Sequence, residues 1–344
     1  MARDDLHQDD HHMGDLHQGD LHLVDLDQPL PGQRRFISCW ARVAGPVTYV
    51  VDPGPPSSVG ALVAALRDLG LARLDLILLT HVHLDHGGCT ARLLEAWPTA
   101  KVVCHPAGRA HLLDPSQLWQ GSRQVLGAKA EVYGEPAPVP AEALAADPLS
   151  EDPLAPDSLS ARYGIQAIAT PGHAPHHVAY RHGDDLFLGE CAGTFSTLGQ
   201  GPHATDYYLR PATPPRFRPA TAQASLDRLL ALDPLPGRLR FAHHGWHGAD
   251  SRRLLLEARA QVDLWLDACR RALAARRGLP HTEPGGEDEL FDAICALVRE
   301  TDPHYARGAL LPDDIRERER DFTRQSLRGM LGWLLDEAAG AEQG

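Results

Sequence analysis

The chain has 344 residues, enough for one large domain or two of ordinary size. It carries 33 basic against 46 acidic residues, a net of 33 − 46 = −13, which opposes binding to a phosphate backbone and disfavours a nucleic-acid partner. Six scattered cysteines suit reduced thiols better than a disulfide framework, no stretch reaches the length of a membrane span, and the acidic N-terminus lacks an apolar signal core, so a cytoplasmic location is expected.

Residues 1–20 repeat Asp-Leu-His-Gln and hold little that could pack, so they are expected to form a flexible His/Asp-rich arm. Alternation from Leu21 marks a first strand, and Phe36 to Trp40 and Val47 to Asp52 read as two more, joined near Gly45-Pro46. Apolar residues at helical spacing from Val59 to Leu69, capped near Ser57-Ser58 and closed by Gly70, predict a helix. The short apolar run Leu76 to Leu79 has the character of a strand covered on both faces. A helix from Thr90 to Ala96 and a strand from Lys101 to Cys104 continue the alternation of a layered α/β domain. Residues 105–160 are weakly patterned: a helical insertion near 107–127, a strand around Lys129 to Tyr133, then proline-punctuated irregular chain, the whole placed to act as a lid or as a passive loop. Ile165 to Thr170, Val178 to Arg181, Leu186 to Gly189 and Arg238 to Ala242 read as strands, and Thr221 to Leu232 as a helix. From Ser251 onward, amphipathic patterns over 251–278, Glu287 to Arg299 and Asp313 to Ala339 predict a helical C-terminal region, with dimerisation as one use for its apolar faces.

One stretch concentrates chemistry. Thr80-His81-Val82-His83-Leu84-Asp85-His86-Gly87-Gly88 puts three imidazoles and a carboxylate directly behind a buried strand. Neutral imidazole and ionised carboxylate are the donors that hold zinc, iron or manganese. In extended backbone His81 and His83 project to one side and can grip one ion, while Asp85 and His86 fall at the next turn and can face a second.

His81-x-His83-x-Asp85-His86 resembles the signature of the metallo-β-lactamase-fold hydrolases, which include glyoxalase II, lactonases, persulfide dioxygenases and flavodiiron proteins. The family's other motifs follow in order: Val50-Val51-Asp52-Pro53-Gly54, Thr170-Pro171-Gly172-His173, Gly189-Glu190 and His243-His244-Gly245. The resemblance implies a four-layer αββα sandwich over residues 21–250, with the helical region 251–344 placed like the C-terminal part of glyoxalase II. It implies two divalent ions, zinc first, with iron or manganese also compatible. By the same resemblance His81, His83 and His173 hold the first ion, Asp85, His86 and His244 the second, and Glu190 bridges them. Two departures stand out: Glu190 replaces the usual Asp, and two adjacent histidines compete for the last ligand position. His244 is assigned because it directly precedes Gly245, as the family's ligand does.

Two such ions share a hydroxide that attacks a carbonyl without a Ser or Cys nucleophile, and no G-x-S-x-G elbow occurs here. Asp85 is the expected catalytic carboxylate, and His203, Tyr207 and Tyr208 are candidates for substrate contact. The expected function is hydrolysis of a small ester, thioester or lactone. The alternatives are a mononuclear iron enzyme of the persulfide dioxygenase type and a non-hydrolytic diiron or metal-binding module.

Overall fold

The computed structural model describes residues 20–149, 155–197, 207–276 and 286–341. The N-terminal arm and His203 lie outside those residues. Strand β1 (Leu21–Leu26) pairs antiparallel with β2 (Ile37–Arg42), which pairs antiparallel with β3 (Tyr49–Val51). Helix α1 (Val59–Asp68) then carries the chain over the sheet face to β4 (Leu76–Leu78), parallel to β3. The short helix α2 (Leu84–Gly87) and α3 (Thr90–Ala96) lead to β5 (Lys101–Val103), parallel to β4. The sheet order is therefore β1-β2-β3-β4-β5.

The insertion contains α4 (Arg109–Leu113), α5 (Ser116–Leu126) and α6 (Ala128–Tyr133). The strand expected at Lys129 to Tyr133 is a helix: the residues it buries are Ala130 and Tyr133, one helical turn apart, and five residues are too few for the two periods to separate. After α7 (Leu159–Tyr163) come β6 (Ile165–Ala169), β7 (Val178–His182) and β8 (Asp185–Gly189), an antiparallel meander. A two-stranded ribbon of β9 (Thr194–Thr197) and β10 (Tyr207–Arg210) was not legible in the Gly- and Pro-rich sequence around it. Helix α8 (Pro219–Leu230) precedes β11 (Arg238–Phe241), parallel to β8, and β12 (Trp246–His247) closes a second sheet of order β12-β11-β8-β7-β6.

The two sheets face each other across an apolar layer that includes Trp40, Tyr49, Leu78, Tyr180 and Phe187. Each outer face is covered by helices. One core joins the first sheet to α1, α3 and the insertion, and another joins the second sheet to α8 and the start of α9 (Ser251–Ala275). Helix, sheet, sheet, helix is the four-layer sandwich that the sequence resemblance implied. The remaining helices, α10 (Gly286–Thr301), α11 (Pro303–Ala306) and α12 (Asp313–Ala341), pack with α9 around Trp265, Phe291 and Leu327. No helix among the described residues is long and apolar enough to cross a membrane.

Polar bonds lock the sheets together along one edge. The Tyr180 hydroxyl donates to the carbonyls of Leu79 and Val103 at 3.0 and 3.2 Å, Val178 N donates to Thr80 O at 2.7 Å, and Trp40 Nε1 donates to Phe241 O at 2.9 Å. Strands β3, β4, β6, β8 and β11 all end on this edge, where side chains from separate loops converge as they do at the carboxyl ends of parallel strands generally.

Candidate metal centre

Two groups of ligand-type side chains meet at that edge: His81, His83, His173 and Glu190, and beside them Asp85, His86 and His243. Within each group the donor atoms lie no more than 4.8 Å apart. The Glu190 carboxylate reaches both. Its Oε2 is 3.0 Å from His173 Nε2, 3.3 Å from His86 Nε2 and 3.6 Å from His81 Nε2, and its Oε1 is 3.6 Å from His243 Nε2. The longer Glu side chain therefore spans the two groups.

Hydrogen bonding fixes the tautomers. A carbonyl can only accept, so His173 Nδ1 donates to Ala212 O at 3.0 Å and His243 Nδ1 donates to Phe36 O at 2.8 Å. Each thereby turns its Nε2 toward Glu190, and His173 Nε2 also lies 3.1 Å from His83 Nδ1. For His81 the fixing is relayed. Asp52 accepts from Thr80 N at 2.8 Å and from the Thr80 hydroxyl at 2.7 Å, so Thr80 Oγ1 accepts from His81 Nδ1 at 3.0 Å. His81 Nε2 is then an unprotonated, buried atom without a hydrogen-bond partner, while His86 faces carboxylates on both sides, Nδ1 3.4 Å from Asp52 Oδ2 and Nε2 3.3 Å from Glu190 Oε2. Buried polar atoms are seldom left so, and a cation is the partner that this lone-pair geometry accepts.

The electrostatics agree. Burial, reinforced by the neighbouring imidazoles, holds His81 and His83 well below the ordinary histidine range and so in the ligating form. Burial also disfavours charge on His86 and His173, but Asp85 beside the first and Glu190 beside the second outweigh it and raise both. Burial would raise Glu190, yet His173 and its companions hold its carboxyl well below the usual range. His173 and Glu190 thus favour one another's charged forms. The donors fit zinc, iron or manganese.

His244 is not part of the cluster, contrary to the sequence assignment. Its backbone is left-handed, φ +58, which throws successive side chains apart: His243 turns inward and His244 Nε2 accepts from Arg318 on α12. Spacing from Gly245 could not reveal this. Burial, then the Arg318 guanidinium, keeps the His244 imidazole well below its ordinary value. Tyr207 and Tyr208 are also placed elsewhere. Tyr207 donates to Glu257 and stacks on His304 at 4.5 Å, and Tyr208 belongs to the core of the C-terminal helices. Neither lines the cleft, because both side chains pack against the C-terminal helices, whereas Arg210 of the same strand does line it. His177 is held by Thr170 and accepts from Glu190 N at 3.2 Å, which positions the Glu190 backbone. Phe36 and Arg318 are the residues at the site that sequence reasoning did not single out; Asp52 and Thr80 lay inside stretches read from the sequence but without a role of their own.

The clusters form the floor of a cleft of about 620 Å³. One wall comes from the insertion, through Leu118, Val125 and Leu126, and the other from α12, through Phe322, Gln325 and Ser326. The first half of the insertion thus faces the site, whereas Leu144 and Ala145 pair along the far edge strand through Val102. Cys89 and Cys191, close to the ligand loops, are thiols pushed up to about 12 by burial, and Cys89 Sγ donates to Pro53 O at 3.2 Å.

The profile of the metallo-beta-lactamase superfamily matches residues 35–244. The metallo-beta-lactamase fold-containing protein ST1585 of Sulfurisphaera tokodaii is 29% identical over 202 residues, 58% of this chain and 69% of that protein. A hydroxyacylglutathione hydrolase of Cupriavidus taiwanensis is 32% identical over 219 residues, 62% of this chain and 64% of that enzyme. Among solved structures, the archaeal ST1585 protein from Sulfolobus tokodaii superposes with a TM-score of 0.58 at 21% identity, covering 90% of this chain and 97% of that one. The metallo-beta-lactamase family protein TTHA1429 from Thermus thermophilus gives 0.57 at 21%, over 93% and 94%. At such identities the structures speak to the fold alone. Profile, fold and ligand order together place this chain in the metallo-beta-lactamase superfamily.

Proposed function

We propose that the protein is a dinuclear metal-dependent hydrolase acting on a small ester, thioester or lactone. The observation that carries the reading is the pair of ligand groups on one cleft floor, with a single carboxylate, Glu190, facing both. His81, His83 and His173 would hold one ion, and Asp85, His86 and His243 the other. Bound divalent cations supply Lewis acidity at a carbonyl and a water acidic enough to attack it at neutral pH. The chain's own residues do the rest. Asp52 and Thr80 keep His81 in its ligating tautomer. Asp85, partly exposed on the cleft floor, accepts a hydrogen bond from the attacking water and orients it. Val82, Leu84, Leu118 and Phe322 exclude bulk solvent around the acyl group. The relationship to hydroxyacylglutathione hydrolases supports the thioester branch of the substrate class.

The test is metal analysis followed by a screen of thioesters, esters and lactones, with Asp85→Asn as the diagnostic variant. Two ions per chain and hydrolysis, with kcat falling about 100-fold or more in Asp85→Asn, are expected. Undiminished turnover in that variant, or a single iron acting on a sulfur substrate, would refute the reading.

A further inference from the structure

The loop that presents His243 is held in an unfavourable conformation by a helix outside the sandwich. His244 has φ +58, a left-handed backbone that favours glycine and that a non-glycine residue adopts at a cost. Its imidazole is bonded by the buried Arg318 guanidinium, whose Nη1 also donates to Gly32 O at 2.7 Å. The same guanidinium lies 5.3 Å from the centre of the Phe36 ring. Phe36 in turn packs against His243 with ring centres 4.7 Å apart and planes tilted by 33°, and its carbonyl accepts from His243 Nδ1. One side chain of α12 therefore braces both halves of the presentation of His243: the backbone twist at residue 244 and the ring-and-carbonyl seat at residue 36.

The docking of α12 at this point is close. Gly32 lies so near the Asp314 carbonyl that a Cβ there would sit 2.2 Å from its oxygen, and Arg34 adds an ion pair to Asp314 at 2.9 Å. Glu319 keeps Arg318 oriented and is itself paired with Arg210 at 2.6 Å, so it retains a partner if Arg318 is replaced.

We propose that Arg318 is a positioning residue for the second metal position, so that the C-terminal helix controls whether the chain holds one ion or two. The proposal rests on the dinuclear reading above. Removing the guanidinium leaves His244 free to relax toward an ordinary backbone conformation, which rotates His243 away from Asp85 and His86. The first group, His81, His83 and His173, has no contact with Arg318 and keeps its ion.

The test is zinc stoichiometry and affinity by competition with a chromophoric chelator, on the full-length chain. In Arg318→Met the second ion should bind about 10- to 100-fold more weakly, the range for loss of a group that orients a ligand, while the first is retained. Arg318→Lys, which keeps the charge beside Glu319 but cannot span both acceptors, should show a smaller loss and covers the case in which Arg318→Met does not fold. Adding His244→Gly to Arg318→Met should restore the second ion, because glycine holds φ +58 without cost. A merely structural contribution would not be rescued by that change. Wild-type affinity for both ions in Arg318→Met and Arg318→Lys would overturn the inference while leaving the hydrolase reading intact, as would failure of His244→Gly to restore the second ion. A wild-type chain that takes up one zinc only would overturn both.

Discussion

Replacing Asp52 by Asn changes little in shape and inverts the hydrogen bonding of two ligands. The carboxylate is buried, accepts from Thr80 N and the Thr80 hydroxyl, and lies 3.4 Å from His86 Nδ1. Asparagine tolerates the left-handed backbone at this position, φ +52. Its carbonyl oxygen can keep the bond from Thr80 N, but the amide nitrogen then faces the Thr80 hydroxyl and His86. An amide N–H donates, so the hydroxyl must accept from it and point its own proton at His81 Nδ1. His81 is thereby driven to carry its proton on Nε2, the atom that faces Glu190 and that would ligate a bound cation. His86 suffers the same inversion directly.

The expected loss is about 10- to 100-fold in metal affinity at each position, the range for groups that orient metal ligands. The metal-free protein should also lose about 1.5–3 kcal/mol with the charge-assisted bond to the Thr80 hydroxyl. Competition with a chromophoric chelator measures the first quantity and urea unfolding of the metal-free chain the second. Thr80→Val is the companion variant: it cuts the relay to His81 and leaves the approach of Asp52 to His86, so only the first ion should weaken. Chelator curves for Asp52→Asn indistinguishable from wild type would refute the tautomer argument.

Two further outcomes are expected. Gly189 has φ +53, and a Cβ there would lie 2.5 Å from both His177 Nε2 and Thr80 Oγ1, so Gly189→Ala should destabilise the fold by more than about 2 kcal/mol and displace Glu190 from the ligands, read as a lower Tm together with less bound metal. Glu319 is buried, which would raise its carboxyl, but Arg210 and Arg318 outweigh that and lower it to about 2. A lowered folded value means stability that is complete above about 4.5, the unfolded value, and is lost as pH falls toward 2, in all about 3 kcal/mol. Urea unfolding of the metal-free chain should therefore show Glu319→Gln well below wild type at neutral pH and converging on it in acid, whereas a gap independent of pH would count against this account.

Much of the sandwich was legible because its strands and helices carry distinct periods and clear stops. Thr90 to Ala96 is helical as expected, and Leu76 to Leu78 is a strand buried on both faces. The segment Lys129 to Tyr133 was not legible, since five residues fit either period and only docking against α5 and the first sheet selects the helix. The ligands on strand ends were legible as residue types at characteristic spacing. What spacing cannot encode is side-chain direction. The choice between His243 and His244 is made by one backbone dihedral and by a guanidinium 74 residues away in sequence. Tyr207 and Tyr208 failed as substrate contacts for a related reason: the helices that cover their strand come from the far end of the chain.

The boundary near residue 250, clear in the sequence as a change from mixed to helical patterning, is not a boundary in the packing. Leu254, Leu255 and Ala258 at the start of α9 complete the core over the second sheet. Helix α12 then returns to the opposite side of the site, where Gly329 lies so close to Pro214 that an added Cβ would sit 2.2 Å from its carbonyl oxygen. From that position it contributes Phe322, Gln325 and Ser326 to the cleft and Arg318 to the His243 loop. A sandwich cut at residue 250 would keep every ligand-type residue in its sequence and lose one wall of the cleft together with the Arg318 contacts to the His243 loop. The motifs alone therefore underdetermine the site in this chain, because the conformation that turns His243 toward Asp85 and His86 is contacted by residues the motifs do not include.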